Sequence, residues 1–163
     1  MRINFLIRLA LYQPEIPQNT GTLLRAGACL GVQLDIVEPC GFGLSDARLK
    51  RAGMDYVEIA HYTRHTSWQS FKDTAQENNN RLVYLTPHSK VSYTDFDFTP
   101  QDILILGRES DGLPKDVAQE IPHHITIPMI EGRRSLNVAL AGAMVLGEAL
   151  RQTQQTKKRK KES

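Results

Sequence analysis

The chain has 163 residues, of which 40% are hydrophobic and 23% are charged, a balance typical of one globular domain and not of a disordered or membrane-spanning protein. Its longest nearly apolar run, residues 138–150, contains Glu148 and is too short to cross a bilayer, so we expect no membrane partner. Cys29 and Cys40 have no metal-ligand or CxxC spacing, which favours reduced thiols and a cytoplasmic location.

The net charge of +2 comes from the carboxyl end of the chain. Residues 157–163 hold five basic residues and one acidic residue, which leaves 15 basic and 17 acidic residues in the rest. We therefore predict a single domain at 1–153 and a basic, disordered tail at 154–163. Such a tail either contacts nucleic acid or is only solvated, and the sequence leaves both interpretations open.

In the first half of the chain, predicted strands alternate with predicted helices. Residues 5–12 are typical of a buried strand, and two prolines fix the loop that follows. The apolar positions of 18–30 then fit a helix that ends at Gly31. The pattern next predicts a strand at 33–37, a short helix at 45–52, a strand at 56–60, a helix capped at Thr66 and Ser67 that ends near Gln76, and a strand at 81–86.

The second half continues this alternation. It contains an irregular segment at 93–98, a strand at 103–106, a helix from Pro114 to Glu120, a strand at 125–127 and a helix at 135–152. The last helix opens at Ser135 and is apolar on nearly every side, so we expect it to be covered all round. Strands that alternate with helices predict an α/β fold, a mostly parallel sheet flanked by helices.

Ligands of open α/β sheets bind beyond the carboxyl ends of the strands. The loops that qualify here are 13–21, 86–90, 107–114 and 128–137. The chain lacks the G-x-G-x-x-G fingerprint, the phosphate-binding P-loop and the G-x-S-x-G nucleophile elbow, so those three kinds of site are excluded. His61 and His65 are four residues apart, but no carboxylate completes a zinc site, and we predict no metal.

The two late loops carry glycines that let the backbone approach a flat ligand. Gly107, Gly112 and Gly132 would leave N–H and C=O groups free to read the edge of a purine. Ser135 and Asn137 stand at the start of the last helix, where each either caps the helix or contacts a ligand. These loops are therefore the predicted binding site.

Three segments at strand ends and helix starts follow one another in a fixed order: Pro17-x-Asn19-x-Gly21-x-x-x-Arg25, Gly107-Arg108-Glu109-x-x-Gly112-Leu113-Pro114, and Ile127-Pro128-Met129 with Arg134-Ser135-Leu136-Asn137-Val138. In residue types and order they resemble the three motifs of the SPOUT methyltransferases, and the resemblance covers about residues 8–150. The segments 11–21 and 51–56 are similar to the small subgroup that 2′-O-methylates the wobble nucleotide of tRNA.

The resemblance implies a fold, a cofactor and an assembly. The fold would carry a deep trefoil knot at its carboxyl end, which periodicity alone does not suggest. The cofactor would be S-adenosyl-L-methionine (SAM), bound in a bent shape without a metal, and the implied contacts are Leu85, Gly107, Ile127 and Ser135. The assembly would be a homodimer that packs through the last helix.

The implied reaction is methylation of the ribose 2′-OH at position 34, a cytidine or modified uridine, in the anticodon stem-loop of certain tRNAs, with leucine tRNAs as expected substrates. Taken alone, Arg25 is either a surface charge or a phosphate ligand. The resemblance places Arg25 near the 2′-OH or its phosphate, where orientation or charge stabilisation suits an arginine better than proton abstraction. Asn19, Glu109 and Asn137 would position Arg25 and the target nucleotide.

The chain departs from the subgroup at Gly147, where relatives often carry an aromatic residue in the last helix. Candidate phosphate contacts are the basic tail, Arg48, Lys50, Arg51, Arg64 and Arg133. Two alternatives stay open: an RNA-binding or assembly module of the same fold without turnover, and ribose methylation of another RNA such as rRNA.

Overall fold

The computed structural model describes residues 7–44, 47 and 61–161, and side chains as far as residue 154. The predicted helix at 45–52 and the predicted strand at 56–60 lie outside the described residues, apart from Ala47, which is helical. Three of the candidate phosphate contacts, Arg48, Lys50 and Arg51, also lie outside them.

Within the described residues, one sheet of six parallel strands forms the centre of the fold. The strands are β1 (Arg8–Tyr12), β2 (Gln33–Val37), β3 (Tyr62–His65), β4 (Arg81–Leu85), β5 (Asp102–Leu106) and β6 (His123–Ile125). Their order is β3-β2-β1-β5-β4-β6, so β1 and β5 lie in the middle, with Arg8 opposite Gln33 on one side and Ile103 on the other. The predicted α/β fold with a parallel sheet is confirmed.

The helices that flank the sheet in the described ranges are α1 (Pro17–Leu30), α2 (Trp68–Glu77), α3 (Lys115–Gln119) and α4 (Val138–Lys161). Gly31 has a φ of 67° and ends α1 in the left-handed conformation, as predicted. The Ser67 side chain accepts a hydrogen bond of 3.1 Å from the Ser70 N–H and caps α2, also as predicted. Local sequence signals therefore account for the end of α1 and for the start of α2.

Two strands differ from the prediction. β3 lies at Tyr62–His65, where the sequence predicted no element, because Thr63 and Arg64 are exposed on this edge strand and interrupt any apolar run. β6 begins at His123 and not at Ile125, since Ile125 is its one fully buried residue and carries the apolar signal by itself. Edge strands have fewer buried positions, and pattern analysis misses them for that reason.

Helix α4 also differs at both ends. It begins at Val138, not at Ser135, and it continues to Lys161 although the sequence predicted an end at 152. The helix thus runs into the basic segment that the sequence separated as a tail, because glutamine, lysine and arginine are good helix formers and cations suit a helix carboxyl end. The helix is not covered on every side, since Leu140 and Met144 are exposed.

The core has two layers, one on each face of the sheet. Helices α1 and α4 cover one face through leucines such as Leu23 and Leu146, and helices α2 and α3 cover the other through Phe71 and Val117. A Cβ placed on Gly142 would lie 2.6 Å from Leu106 Cδ1, so α4 lies close against β5. This packing holds the start of α4 beside the carboxyl ends of the strands. No helix in the described ranges is both long and apolar enough to span a membrane.

Candidate active site

The segments that follow β1, β4, β5 and β6 border a common cavity of about 670 Å³ beyond the carboxyl ends of these strands. This volume lies in the range of pockets that bind small molecules. The predicted cofactor-binding residues that line it are Leu85, Gly107, Ile127 and Ser135. The predicted catalytic residues that line it are Asn19, Glu109 and Asn137. The structure therefore brings these seven residues together from four separate segments, namely α1, β4 and the loops after β5 and β6.

The cavity also contains residues that the sequence did not single out. Tyr84, Thr86 and His88 line it at the end of β4, inside or beside a loop that had been predicted only as a whole. A second hollow of about 390 Å³ shares His88 with the first and extends along residues 128–134. Ile130, at 80% exposure, stands at its rim. The available signal for Thr86 and His88 was their place after a buried strand, whereas Tyr84 lies within β4 itself.

The loop after β5 has a shape that only glycine permits at two positions. Arg108 and Gly112 exchange backbone hydrogen bonds of 3.2 and 3.0 Å, and Gly112 has a φ of 70°. A Cβ on Gly107 would lie 2.6 Å from the Gly112 backbone. The Tyr84 hydroxyl accepts a hydrogen bond of 3.0 Å from the Leu113 N–H and holds the far end of the loop. The cavity wall at Gly107 is therefore rigidly formed.

A chain of polar contacts joins the three predicted catalytic residues that line the cavity. The Glu109 carboxylate accepts hydrogen bonds from the backbone N–H groups of Glu15 at 2.8 Å and Ile16 at 3.2 Å. Asn19 Nδ2 donates to Glu109 Oε1 at 3.4 Å, and Asn137 Nδ2 donates to Asn19 Oδ1 at 3.0 Å. Asn19 is buried, so its amide has a fixed orientation between a carboxylate and a second amide.

The start of α4 is capped by Asn137 and not by Ser135. Asn137 Oδ1 accepts hydrogen bonds from Ala139 N at 2.9 Å and Leu140 N at 3.2 Å. Ser135 lies two residues before Asn137 in the exposed loop and lines the cavity. The open question of cap or ligand is thus answered for Asn137, which caps the helix and contacts Asn19 with the same side chain.

Asn137→Ala is expected to destabilise the protein by about 1 kcal/mol, because two N–H groups of α4 lose their cap. Asn137→Asp keeps an oxygen that can cap the helix, but a carboxylate cannot donate to Asn19 Oδ1. We therefore expect the aspartate variant to retain stability and lose activity, measured by thermal unfolding together with the methyl transfer that the sequence resemblance implies. Wild-type activity in Asn137→Asp would show that the contact with Asn19 is dispensable.

Arg25 is the one predicted catalytic residue that does not line the described cavity. It lies on the exposed side of α1, beyond the buried positions Leu23 and Leu24. Arg108 does line the cavity, but Asp111 accepts from its Nε at 2.8 Å and Gln13 Oε1 accepts from its Nη1 at 3.2 Å. The charge of Arg108 is therefore already engaged within the protein.

Arg108 also lies over the Tyr12 ring, with its Cζ 5.7 Å from the ring centroid. Burial raises the pKa of the Tyr12 phenol, although the nearby Arg108 charge acts in the opposite direction. Tyr12 thus serves as a neutral platform beside the site. Among the described His, Cys, Asp and Glu side chains, no group of three is placed to hold a metal ion.

The sequence model of the SpoU rRNA Methylase family matches residues 6–147, which is most of the chain. The chain belongs to the SpoU methylase family. This SpoU methylase is 54% identical over 147 residues to a tRNA (cytidine(34)-2′-O)-methyltransferase from Ancylobacter novellus, and the match covers 90% of this chain and 93% of that protein.

Solved structures agree with this family membership. One, described as giving structural insights into the 2-OH methylation of C/U34 on tRNA, has a TM-score of 0.84 and 38% identity, and the match covers 90% of this SpoU methylase and 95% of that chain. Another is a SpoU methyltransferase from Streptomyces viridochromogenes in complex with the cofactor AdoMet, with a TM-score of 0.82 and 26% identity over 93% of this chain and 62% of that one.

Proposed function

We propose that the protein transfers a methyl group from SAM to the ribose 2′-OH of nucleotide 34, a cytidine or modified uridine, in the anticodon stem-loop of leucine tRNAs. The observation that carries this proposal is the 54% identity, over nearly the whole length of both chains, to a tRNA (cytidine(34)-2′-O)-methyltransferase. The cavity adds to it, because residues from every motif of the SPOUT resemblance line that one space.

The cavity fits SAM in size and chemistry. Its lining combines apolar side chains, such as Leu106 and Ile127, with polar groups at Thr86 and Ser135, and SAM likewise combines an adenine ring with charged and hydroxyl groups. When bound, SAM supplies a methyl group on a positively charged sulfur, a leaving group that needs no metal. Leu85, Gly107, Ile127 and Ser135 would hold the cofactor.

Within this proposal, Arg25 orients the 2′-OH or the neighbouring phosphate and stabilises the charge that develops on the oxygen. Asn19, Glu109 and Asn137 keep the start of α1 in place relative to the cavity, since their hydrogen bonds connect the loop after β5 with both helices. An arginine stays protonated near neutral pH, so the 2′-OH proton would leave to water or to another base.

A knotted carboxyl-terminal region is part of the proposal. Two contacts support it: the Thr126 N–H donates to Val91 O at 2.8 Å, and the Tyr93 N–H donates to Thr126 O at 2.8 Å. The segment after β4 therefore lies against the segment after β6, and the chain then proceeds to α4, which packs beside α1 and β5. A chain threaded through the loop after β4 would make these contacts.

The proposed assembly is a homodimer through α4. Leu140 and Met144 are exposed one helical turn apart and so form an apolar stripe on α4, and Leu136, in the loop just before the helix, is exposed as well. Leu140→Glu is expected to convert a dimer into a monomer, because it would bury a charge in the interface. Light scattering of the protein as it elutes from a size-exclusion column measures the mass of the assembly. Val91→Glu, at another exposed apolar residue, is the matched control. Equal masses for wild type and Leu140→Glu would contradict this interface.

RNA would be held by exposed cations near the cavity and by the basic end of α4. Arg133 lies at the second hollow, whereas Arg64 is paired with Glu38 and would have to exchange that partner for a phosphate. Removal of residues 154–163 should weaken tRNA binding and flatten its dependence on salt.

Cys29 and Cys40 are free thiols, which agrees with action in the cytoplasm.

The test is methyl transfer by purified protein with labelled SAM and leucine tRNA, followed by mass spectrometry that locates the modified nucleotide. A 2′-O-methyl group at position 34 is the expected result. Binding of tRNA without transfer would indicate the non-catalytic module, and methylation of rRNA fragments in place of tRNA would indicate the other alternative.

A further inference from the structure

In the loops after β1 and β5, a carboxylate of each loop accepts hydrogen bonds from the other loop. Glu109, from the loop after β5, accepts from the Glu15 and Ile16 N–H groups, as described above. In the opposite direction, Glu15 Oε1 accepts from the Ser110 N–H at 3.0 Å and from the Ser110 hydroxyl at 2.7 Å. Two neighbouring residues of each loop therefore hold two neighbouring residues of the other. We call this set, Glu15, Ile16, Glu109 and Ser110, the reciprocal carboxylate contacts.

The two carboxylates of the reciprocal carboxylate contacts have different roles. Ile16 stands at the N-cap position of α1 and has no side chain that can cap, so Glu109 supplies an anion to this helix start from another loop. The backbone beside Glu15 is held separately, since the Gly41 N–H donates to Pro14 O at 2.9 Å. Among the described residues, the Glu15 carboxylate accepts side-chain and backbone hydrogen bonds from Ser110 only.

Ser110 lines the cavity, whereas α1 carries Asn19 at one end of the site and Arg25 further along. The contact between Glu15 and Ser110 therefore sets the distance between the cavity wall and the helix with the proposed catalytic arginine. A misplacement of about 1 Å in such a site can lower a rate by about 100-fold.

We propose that Glu15 is a positioning residue for methyl transfer, which acts through Ser110 to hold α1 in register with the cofactor cavity. This inference rests on the proposed function. It adds a residue that contacts neither the cavity nor the reacting atoms, and it assigns to Ser110 a role in placing α1 and not in binding the cofactor.

The experiment compares Glu15→Ala, Glu15→Gln, Ser110→Ala and the double variant Glu15→Ala/Ser110→Ala, with Glu77→Gln as the control for loss of one exposed carboxylate at the end of α2. For each variant, kcat, KM for the anticodon stem-loop, SAM affinity by calorimetry and unfolding temperature are measured. We expect Glu15→Ala to lower kcat by about 10- to 100-fold while SAM affinity changes less than about twofold. The kcat of Glu15→Gln should lie between those of the wild type and Glu15→Ala, because its amide oxygen still accepts a hydrogen bond but carries no charge.

The double variant separates positioning from general weakening. If Glu15 acts through Ser110, the double variant should be no slower than the slower single variant. The proposal would be overturned if the kcat losses of the two single variants multiplied in the double variant, or if the loss of kcat followed the fall in unfolding temperature. Wild-type kcat in Glu15→Ala would also overturn it. A wild-type protein that transfers no methyl group to tRNA would overturn the proposed function itself, which these variants do not address.

Discussion

Arg25→Ala is expected to lower kcat for methyl transfer by about 100-fold or more, the loss usual for a group that stabilises developing charge. Arg25 lies on the exposed side of α1, so its removal creates no cavity in the core and the unfolding temperature should change little. Arg25→Lys should recover only a small part of the rate, because an ammonium group lacks the planar, two-pronged geometry of guanidinium.

The measurement is single-turnover methyl transfer to the anticodon stem-loop at saturating SAM. Lys115→Ala is the matched control, since it removes one exposed cation from α3, on the opposite face of the sheet from α1. Full activity in Arg25→Ala, with folding intact, would remove Arg25 from the mechanism. A rise in KM with kcat unchanged would instead leave it as a contact that only binds RNA.

Gly107→Ala is expected to abolish measurable SAM binding. The added Cβ would lie 2.6 Å from both the Gly112 Cα and its carbonyl carbon, and 2.8 Å from the Leu113 nitrogen. These are backbone atoms and cannot rotate away, so the loop that forms the cavity wall must open. Overpacking of this kind costs about 1–3 kcal/mol, and here the cost falls on the ligand-binding loop.

Calorimetric titration with SAM tests this variant, and circular dichroism reports whether the fold persists. Gly43→Ala is the matched control, because no atom of the described residues lies within 4 Å of a Cβ at Gly43 and its φ is not positive. We expect the control to bind SAM as the wild type does. SAM binding of wild-type strength in Gly107→Ala would show that the loop can relax, and that its close packing is not required for the cavity.

Much of the fold follows from local signals in the sequence. The run 103–106 is buried at every position and is predicted as a strand, and Gly31 and Ser67 act at helix ends as their residue types predict. β3 was missed because an edge strand has few buried positions. The start of α4 was misplaced because serine and asparagine are both good caps, and only the fold decides which one faces the free N–H groups.

The site was predictable to the extent that motifs mark it. Residue types and spacing located Leu85, Gly107 and Ile127 through a resemblance, and the structure places them on one cavity. The contact between Glu15 and Ser110 joins positions 95 residues apart, and no spacing rule connects them. Arg25 shows the opposite limit, because a motif position does not reveal that the side chain lies outside the cavity of the folded subunit.

The position of β1 in the middle of the sheet has a consequence for folding. Its partner on one side, β2, follows closely in sequence, but on the other side Arg8 pairs with Ile103. During synthesis, β1 therefore keeps one unpaired edge until more than half of the chain has been made. Such long-range parallel pairing is slow. Because unpaired strand edges favour aggregation, covering the edge of β1 before β5 is made would protect the nascent protein.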